Sequence, residues 1–293
     1  MRATSDSNPY KHGYFVVLDR LYDTLTKRFG VWKKAKGKAT GLGKLSDMKG
    51  KKKEELWIER LLVAYDLAAA LRYLHSLNIV YRDLKPDNIG FDVRGDVKLF
   101  GKWLAGINTF GCSVRRDLRA RITIPVFDLP PRNIVLCLLV CFIISHHYPS
   151  DFGLAKEIRP EEKLDDDLYK MSGNTGSLRY MAPEVALEKP YNSSVDVYSF
   201  GILFWQITSL ETPFTGFSLN MHNDRVIRGG LRPALNPKIG PGLNNLMKNC
   251  WSTEIHERPT FQEVAEVLRN EVSVLRGDSE CILDASNRTA KSL

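Results

Sequence analysis

The sequence predicts a mainly helical α+β fold, and three segments carry that prediction. Residues 54–76 repeat leucines at helical spacing, residues 195–209 form an almost wholly apolar helix, and residues 88–100 alternate as a short β-hairpin does. The chain has 293 residues, of which 43% are hydrophobic and 26% are charged. These values are ordinary for a globular protein, and they exclude a wholly disordered chain, a collagen and a disulfide-rich miniprotein.

The first fifty or so residues are predicted to hold a strand, a short helix and a linker. Residues 14–19 are a short apolar run rich in aromatic residues and valine, which is typical of a buried strand. A short helix is expected over residues 20–28. Residues 30–53 are rich in glycine and lysine, so we expect a mobile linker that is dispensable for folding.

Two amphipathic helices, over residues 243–251 and 260–275, are predicted to complete the domain. Residues 1–13 and 277–293 are polar, and we expect both termini to be disordered. A single domain over residues 14–276 is therefore predicted, interrupted by a segment at 101–150 whose composition breaks the pattern.

Positive charge is concentrated in two segments of the chain. The formal net charge is +8, yet residues 27–53 alone carry eleven Lys or Arg and one acidic residue, and residues 101–150 carry six basic and two acidic residues. The first segment has a single aromatic residue, Trp32, and no series of aromatic side chains on which bases would stack. We therefore expect solvated surface there and no nucleic-acid partner.

The cysteines and the N-terminus indicate an intracellular protein. The five cysteines include no CxxC pair, so neither a zinc site nor a disulfide framework is expected, and residues 1–13 lack the apolar core of a secretory signal. We therefore expect a reducing, cytoplasmic compartment. The longest apolar run, 134–144, has eleven residues against the ~20 that a spanning helix needs, so a membrane-associated protein is the less favoured alternative.

Three short segments carry the chemistry of this sequence. They are the run YRDLKPDN from Tyr81 to Asn88, the triplet DFG from Asp151, and the triplet APE that ends at Glu184. In this order they resemble the catalytic loop, the magnesium-binding motif and the end of the activation segment of eukaryotic protein kinases. The phrases GSLRYMAPEV and DVYSFGILFW are most similar to the tyrosine-kinase-like group of serine/threonine kinases. The resemblance implies a protein-kinase-like fold, represented by its mainly helical C-terminal lobe.

The resemblance implies a protein serine/threonine kinase, with ATP and Mg²⁺ as cofactors and a protein carrying a Ser or Thr acceptor as substrate. Asp83 would accept the proton of the substrate hydroxyl, and Lys85 would contact the transferring phosphate. Asn88 and Asp151 would hold magnesium, because their oxygen atoms are hard ligands for a hard cation.

The same resemblance assigns Asp19 and Leu21 to the linker that contacts adenine. Only thirteen residues precede Tyr14, and the glycine-rich loop, the lysine and the glutamate of a kinase ATP-binding lobe have no counterpart among them. We therefore expect little activity from this chain by itself. The alternative is a catalytically inactive, kinase-like module that binds partners, and a nucleotide-binding assay would separate the two.

Regulation is expected at the residue before the catalytic aspartate. In the family an arginine at the position of Arg82 docks a phosphorylated activation loop, so Ser172 and Thr175 are the phosphosite candidates. Ser177 corresponds to the hydroxyl residue that bonds the catalytic Asp and Lys.

Three further residues are expected to support the lobe. Glu184 should form a buried ion pair with Arg258, and breaking such a pair typically costs about 3–5 kcal/mol. Asp196 opens the run DVYSFG, which resembles the buried helix that anchors the catalytic loop.

Residues 101–150 are interpreted as a translated intron. Asp83 and Asp151 lie 68 positions apart, and removal of the fifty residues would leave 18, which is about what one hairpin requires. Gly101-Lys102 can be encoded by a splice-donor start and Ser150-Asp151 by an acceptor end, so splicing would join Phe100 directly to Asp151. The alternative is a genuine insertion, such as a loop that touches a membrane.

Overall fold

The structure, a computed structural model, describes residues 21–40, 50–100 and 154–277. The predicted strand at 14–19, the segment at 101–150 and the two polar termini lie outside these residues, apart from Gly277. Asp19 and the triplet from Asp151 to Gly153 lie outside them as well.

Helices dominate the described part of the chain. The α-helices there, in chain order, are α1 Leu25–Thr40, α2 Lys51–Ser76, α3 Pro183–Ala186, α4 Ser194–Ser209, α5 Leu219–His222, α6 Pro241–Cys250 and α7 Phe261–Arg276. The strands are β1 Asp23–Thr24, β2 Ile79–Val80, β3 Ile89–Phe91, β4 Val97–Leu99 and β5 Lys156–Glu157. The prediction of a mainly helical α+β fold is confirmed.

Helix α1 occupies much of the segment that was predicted to be a mobile linker, so that prediction is wrong as far as Thr40. Leu25, Phe29 and Trp32 follow one another at spacings of four and three residues, which places them on one face of the helix, and all three are buried. That face packs against α2. Two glycines and the absence of an acidic residue from the first turn weaken the local helix signals of α1, but burial of one apolar face is sufficient to hold it.

The core is built around α2 and α4. Helix α2 begins three residues earlier than predicted, and its Ala68 and Leu71 are buried in the core shared with α7. Helix α4 is buried along nearly its whole length, and it contacts both α2 and α6. Thr260 caps α7 in a reciprocal capping box with Glu263. The predictions for these four helices are confirmed to within a few residues.

Short strands flank the segment 81–88. The hairpin predicted over 88–100 is present as β3 and β4, which are antiparallel with Ile89 opposite Leu99. Strand β1 pairs with the other edge of β3. Strand β2 pairs with β5, which places Ile79 opposite Glu157. The segment 81–88 therefore runs between two small sheets that fix both of its ends.

None of the helices in the described ranges is long and apolar enough to cross a membrane.

Candidate active site

The side chains of Asp83 and Lys85 meet at the centre of the loop between β2 and β3. The Lys85 Nζ atom lies 2.8 Å from one carboxylate oxygen of Asp83 and 3.0 Å from the other. The hydroxyl of Ser177 accepts a hydrogen bond from Lys85 at 2.8 Å and donates one to Asp83 at 3.2 Å. These three groups therefore form a closed triangle, in which the cation fixes the carboxylate and the hydroxyl.

Asn88 holds Asp83 from a second direction. Its Nδ2 atom donates to the backbone oxygen of Asp83 at 2.9 Å and to the carboxylate at 2.7 Å. Asn88 lies at the end of a 3₁₀ turn that begins at Pro86, and it is buried. Because both contacts use Nδ2, the amide oxygen of Asn88 is the atom that remains to meet a cation.

Asp196, at the start of α4, holds the backbone at the start of the loop 81–88. Its carboxylate accepts the backbone N–H groups of Tyr81 at 2.7 Å and Arg82 at 2.8 Å, and it lies 3.0 Å from Nε2 of His75. Arg82 has a φ of +65°, a conformation that costs free energy in a non-glycine residue. Asp196 is completely buried, so these contacts over-determine the strained turn that aims Asp83.

The side chain of Arg82 reaches the activation segment. Its guanidinium donates to the backbone oxygen of Leu154, to the Ser172 hydroxyl at 2.8 Å and to the Tyr191 hydroxyl at 3.2 Å. Tyr191 in turn donates to the backbone oxygen of Ser172 at 2.8 Å. The structure therefore brings Arg82 and Ser172 into direct contact.

Thr175 does not share that contact. Its hydroxyl donates to the backbone oxygens of Ser172 and Gly173, at 3.1 and 2.9 Å. Gly176 follows with a φ of +100°, and a Cβ there would approach the backbone oxygen of Arg82 to 2.5 Å. Only glycine fits at this position, because the backbone here passes so close to the loop 81–88.

Glu184 and Arg258 form a buried, two-pronged ion pair. The two Glu184 carboxylate oxygens accept from the Arg258 guanidinium at 2.5 and 3.0 Å. Arg258 also donates to the backbone oxygen of Ser252 at 2.9 Å, and its guanidinium lies over the ring of Tyr198. Burial raises the pKa of Tyr198 to about 12, so its hydroxyl stays protonated beside the pair.

Leu21 packs where the chain enters β1. A Cβ placed on Gly90 would approach the side chains of Leu21 and Phe100 to 2.9 Å, so these two side chains fill the space that Gly90 leaves open. The other residue predicted to contact adenine, Asp19, and the second predicted magnesium ligand, Asp151, are outside the described residues. The structure thus brings together Asp83, Lys85, Asn88 and Ser177, while Leu21 packs on Gly90 of β3, the strand that Asn88 immediately precedes.

Comparison with known proteins adds an independent finding. Residues 38–102 match the family model described as "Protein kinase domain", and residues 128–268 match the model described as "Protein tyrosine and serine/threonine kinase". Together the two matches cover more than half of the chain, and they leave residues 103–127 between them. The chain belongs to the protein kinase family. Its described part is the mainly helical C-terminal lobe of the kinase fold.

Plant kinases are among the relatives of this chain. The serine/threonine-protein kinase VIK of Arabidopsis thaliana is 36% identical over 152 residues, which are 52% of this chain and 33% of VIK. The serine/threonine-protein kinase STY17 of the same plant is 28% identical over 239 residues, 81% of this chain and 32% of STY17. Vascular endothelial growth factor receptor 3 of Danio rerio is 35% identical over 147 residues, 48% of this chain and 10% of the receptor. The chain spans about a third of the length of VIK and STY17.

The sequence alone did not indicate several polar residues that support the candidate site. His75 bonds Asp196 from the end of α2, and Tyr191 joins Arg82 to Ser172. Tyr180 donates to the amide oxygen of Gln206 at 2.6 Å, a contact that ties the activation segment to α4. A lone histidine, tyrosine or glutamine carries no local signal of such a role. The glycine before Ser177 is a usable sequence signal, because a glycine often marks a close approach of two backbone segments, as Gly176 does here.

Magnesium is implied by the family, and the described residues fit it in part. Among those residues there is no group of three or more His, Cys, Asp or Glu side chains that could hold a metal ion. The amide oxygen of Asn88 is a hard ligand of the kind that magnesium takes, held in place by the two bonds from Nδ2.

Proposed function

We propose that this chain carries the catalytic loop of a protein serine/threonine kinase, which transfers the γ-phosphate of ATP to a Ser or Thr hydroxyl of a protein substrate. The observation that carries the proposal is the closed set of contacts among Asp83, Lys85 and Ser177. A carboxylate, a cation and a hydroxyl held within 3.2 Å of one another form a preorganised polar site.

Each side chain of this set has a distinct role. The substrate hydroxyl oxygen forms a bond to the γ-phosphorus as the bond to the bridging oxygen of ADP breaks. Asp83 orients that hydroxyl and takes its proton, which places a base at the attacking atom. Lys85 offsets negative charge on the phosphoryl group during its transfer, because an ammonium group beside the reacting atoms stabilises the anionic transition state.

Asn88 and Asp151 would hold the magnesium ion. When bound, magnesium neutralises charge on the phosphates of ATP and aligns them for transfer. The two bonds from Nδ2 of Asn88 to Asp83 orient its amide oxygen independently of the metal.

Specificity for Ser and Thr is supported by the position of Lys85, two residues after Asp83, which is similar to serine/threonine kinases. The names of VIK and STY17 describe serine/threonine kinases, and HT1 of Arabidopsis thaliana, 28% identical over 214 residues, is named a serine/threonine/tyrosine kinase. A catalytically inactive binding module is the less favoured alternative, because the polar set around Asp83 is intact.

Ser172 is the phosphosite that the contacts favour over Thr175. The Arg82 guanidinium already lies 2.8 Å from the Ser172 hydroxyl, whereas Thr175 bonds only to nearby backbone oxygens. A phosphate on Ser172 would meet Arg82 directly and strengthen its hold on the segment.

Transfer of labelled γ-phosphate from Mg-ATP to a Ser, Thr and Tyr peptide library tests the proposal. We would assay the 293-residue chain by itself and joined to the ATP-binding lobe of STY17. We expect phosphoserine and phosphothreonine products from the joined protein, loss of transfer in Asp83→Asn, and retention in Asp224→Asn, an exposed carboxylate far along the chain. Predominant phosphotyrosine would contradict the specificity. Absence of transfer together with absence of Mg-ATP binding would favour the binding module.

A further inference from the structure

Helix α1 carries a strong positive charge, part of which lies on its exposed side. Its sixteen residues include six Lys or Arg and no Asp or Glu. Lys27, Val31 and Lys34 follow at spacings of four and three residues, on the side of the helix opposite to buried Phe29 and Trp32. We call the three residues Lys27, Val31 and Lys34 the basic face of α1.

The cations of this face are not used by the fold. Lys27 and Lys34 are exposed, and within the described ranges neither makes an ion pair or a side-chain hydrogen bond. Arg28, on the flank of the helix, is by contrast engaged by Glu59 at 3.1 Å. Val31 is 57% exposed between the two lysines. An exposed apolar side chain between two unpaired cations suits contact with an acidic polypeptide better than contact with water alone.

The basic face begins beside the catalytic loop. Thr26, the residue before Lys27, donates its hydroxyl to the carboxylate of Asp87 at 2.8 Å, and Asp87 lies four residues after Asp83. Lys34 is seven residues along the helix from Lys27, which corresponds to about 10 Å. The positive charges therefore lie along one exit from the site where a substrate polypeptide would bind.

The chain itself carries an acidic run of matching character. Residues 161–167, EEKLDDD, contain five acidic residues and one lysine, and every one whose side chain the structure describes is exposed. Among the acidic side chains of this run that the structure describes, the ion pairs are local: Glu162 pairs with Arg159, and Asp167 pairs with Lys163. The run ends five residues before Ser172, an extended reach of about 17 Å.

We propose that the basic face of α1 binds the acidic run 161–167 of a second copy of this chain. Charge complementarity and the position of the basic face beside the catalytic loop carry this inference. It rests on the proposed function in one respect, since docking the run would bring Ser172 of the second copy to Asp83. The preferred substrate class is then a polypeptide with acidic residues N-terminal to its acceptor hydroxyl.

Binding of a peptide that spans residues 159–177 to the full 293-residue chain tests this inference without ATP. Fluorescence anisotropy of the labelled peptide is the measurement. We expect the double variant Lys27→Glu/Lys34→Glu to weaken binding about tenfold or more, because it reverses both charges. The variant Lys27→Arg/Lys34→Arg keeps both positive charges and should leave binding within about twofold. The affinity of the wild-type chain should fall as salt is raised.

Matched controls separate this contact from nonspecific charge effects. The variant Lys248→Glu/Arg269→Glu reverses two exposed cations on α6 and α7, and it should bind the peptide as the wild type does. A peptide with its five acidic residues replaced by amides should bind at least about tenfold more weakly. Equal weakening by the two charge-reversed variants would overturn the proposal. The proposal would also be overturned if Lys27→Glu/Lys34→Glu bound the peptide as the wild type does but no longer bound phosphatidylserine vesicles or single-stranded RNA.

The variant Asp83→Asn distinguishes this inference from the proposed function. It should bind the peptide normally while losing phosphoryl transfer, because Asp83 takes no part in the basic face. Transfer that is indifferent to Lys27 and Lys34 would remove this inference and leave the kinase proposal standing. Charge-dependent peptide binding without any phosphoryl transfer would remove the kinase proposal and leave this inference standing.

Discussion

The carboxylate of Asp196 accepts the backbone N–H of Arg82 at 2.8 Å, across 114 positions of sequence. This contact joins the first turn of α4 to the strained residue that precedes Asp83. A buried carboxylate that receives several N–H groups fixes backbone far more firmly than a neutral acceptor, because each bond is charge-assisted. The geometry of the candidate site therefore depends on a residue that lies outside the loop 81–88.

Replacement of Asp196 by alanine should destabilise the protein by about 3–5 kcal/mol, since it leaves the buried N–H of Tyr81 and the partly buried N–H of Arg82 without their acceptor. Urea denaturation of the variant and the wild type measures the loss of free energy of unfolding. Asp224→Ala, which removes an exposed carboxylate from the end of the same lobe, should change it by less than about 1 kcal/mol. Equal effects of the two substitutions would show that Asp196 does not anchor the loop.

Asp66 should make the free energy of unfolding decrease as the pH rises from 3.8 to about 6. Burial, with a smaller contribution from the charge of Asp96, raises the pKa of Asp66 from 3.8 to about 6. The folded state therefore binds the proton more tightly than the unfolded state, so the stabilisation is present below pH 3.8 and is lost as pH rises to about 6.

The variant Asp66→Asn tests this dependence. Relative to the wild type, its free energy of unfolding should be most favourable above pH 6, by up to about 3 kcal/mol, and the difference should shrink toward pH 4. Denaturation curves at a series of pH values measure it. Asp96→Asn should remove only the smaller, electrostatic part. A difference that is constant with pH would contradict the assignment.

Trp32 should matter to folding, in contrast to the linker interpretation of the sequence. It is 1% exposed on the inner face of α1, so Trp32→Ala should cost about 3–5 kcal/mol through the cavity it leaves. Its neighbour Val31 is 57% exposed, and Val31→Ala should be nearly neutral. Thermal denaturation compares the two. Similar melting temperatures for the two variants would show that α1 is dispensable for folding.

Deletion of residues 101–150 should leave the lobe folded and at least as stable. On one side of the segment, the backbone oxygen of Phe100 accepts a hydrogen bond from the Tyr81 hydroxyl. On the other side, the backbone oxygen of Leu154 accepts one from the side chain of Arg82. The neighbouring residues Tyr81 and Arg82 therefore hold both flanks of the segment. After the deletion only residues 151–153 separate those flanks. The melting temperature of the shortened chain is the measurement.

Sequencing of mature transcripts tests the intron hypothesis for the same segment. We expect most messages to join the codon of Phe100 to that of Asp151. Messages that mostly retain all fifty codons would refute splicing. A large loss of stability on deletion would instead support a genuine insertion.

The sequence indicated the long helices and the candidate catalytic residues through patterns that act over short distances. The apolar run of α4 and the leucine spacing of α2 are regular enough to identify helices without tertiary information. Asp83, Lys85 and Asn88 lie within six positions, so the covalent chain keeps them together in any compact arrangement. Helix α1 was missed because its stability comes from contact with α2.

By itself, the sequence determined the mainly helical architecture, the hairpin of β3 and β4, and the set of polar residue types at 83–88. Only the tertiary structure decided which distant groups complete that set: Ser177 closes on Lys85, and His75 and Asp196 converge beneath Tyr81. The physical reason is that secondary structure follows from periodic burial along one segment. Polar contacts between remote segments form only where the packed helices bring their ends together, and no local pattern encodes that meeting.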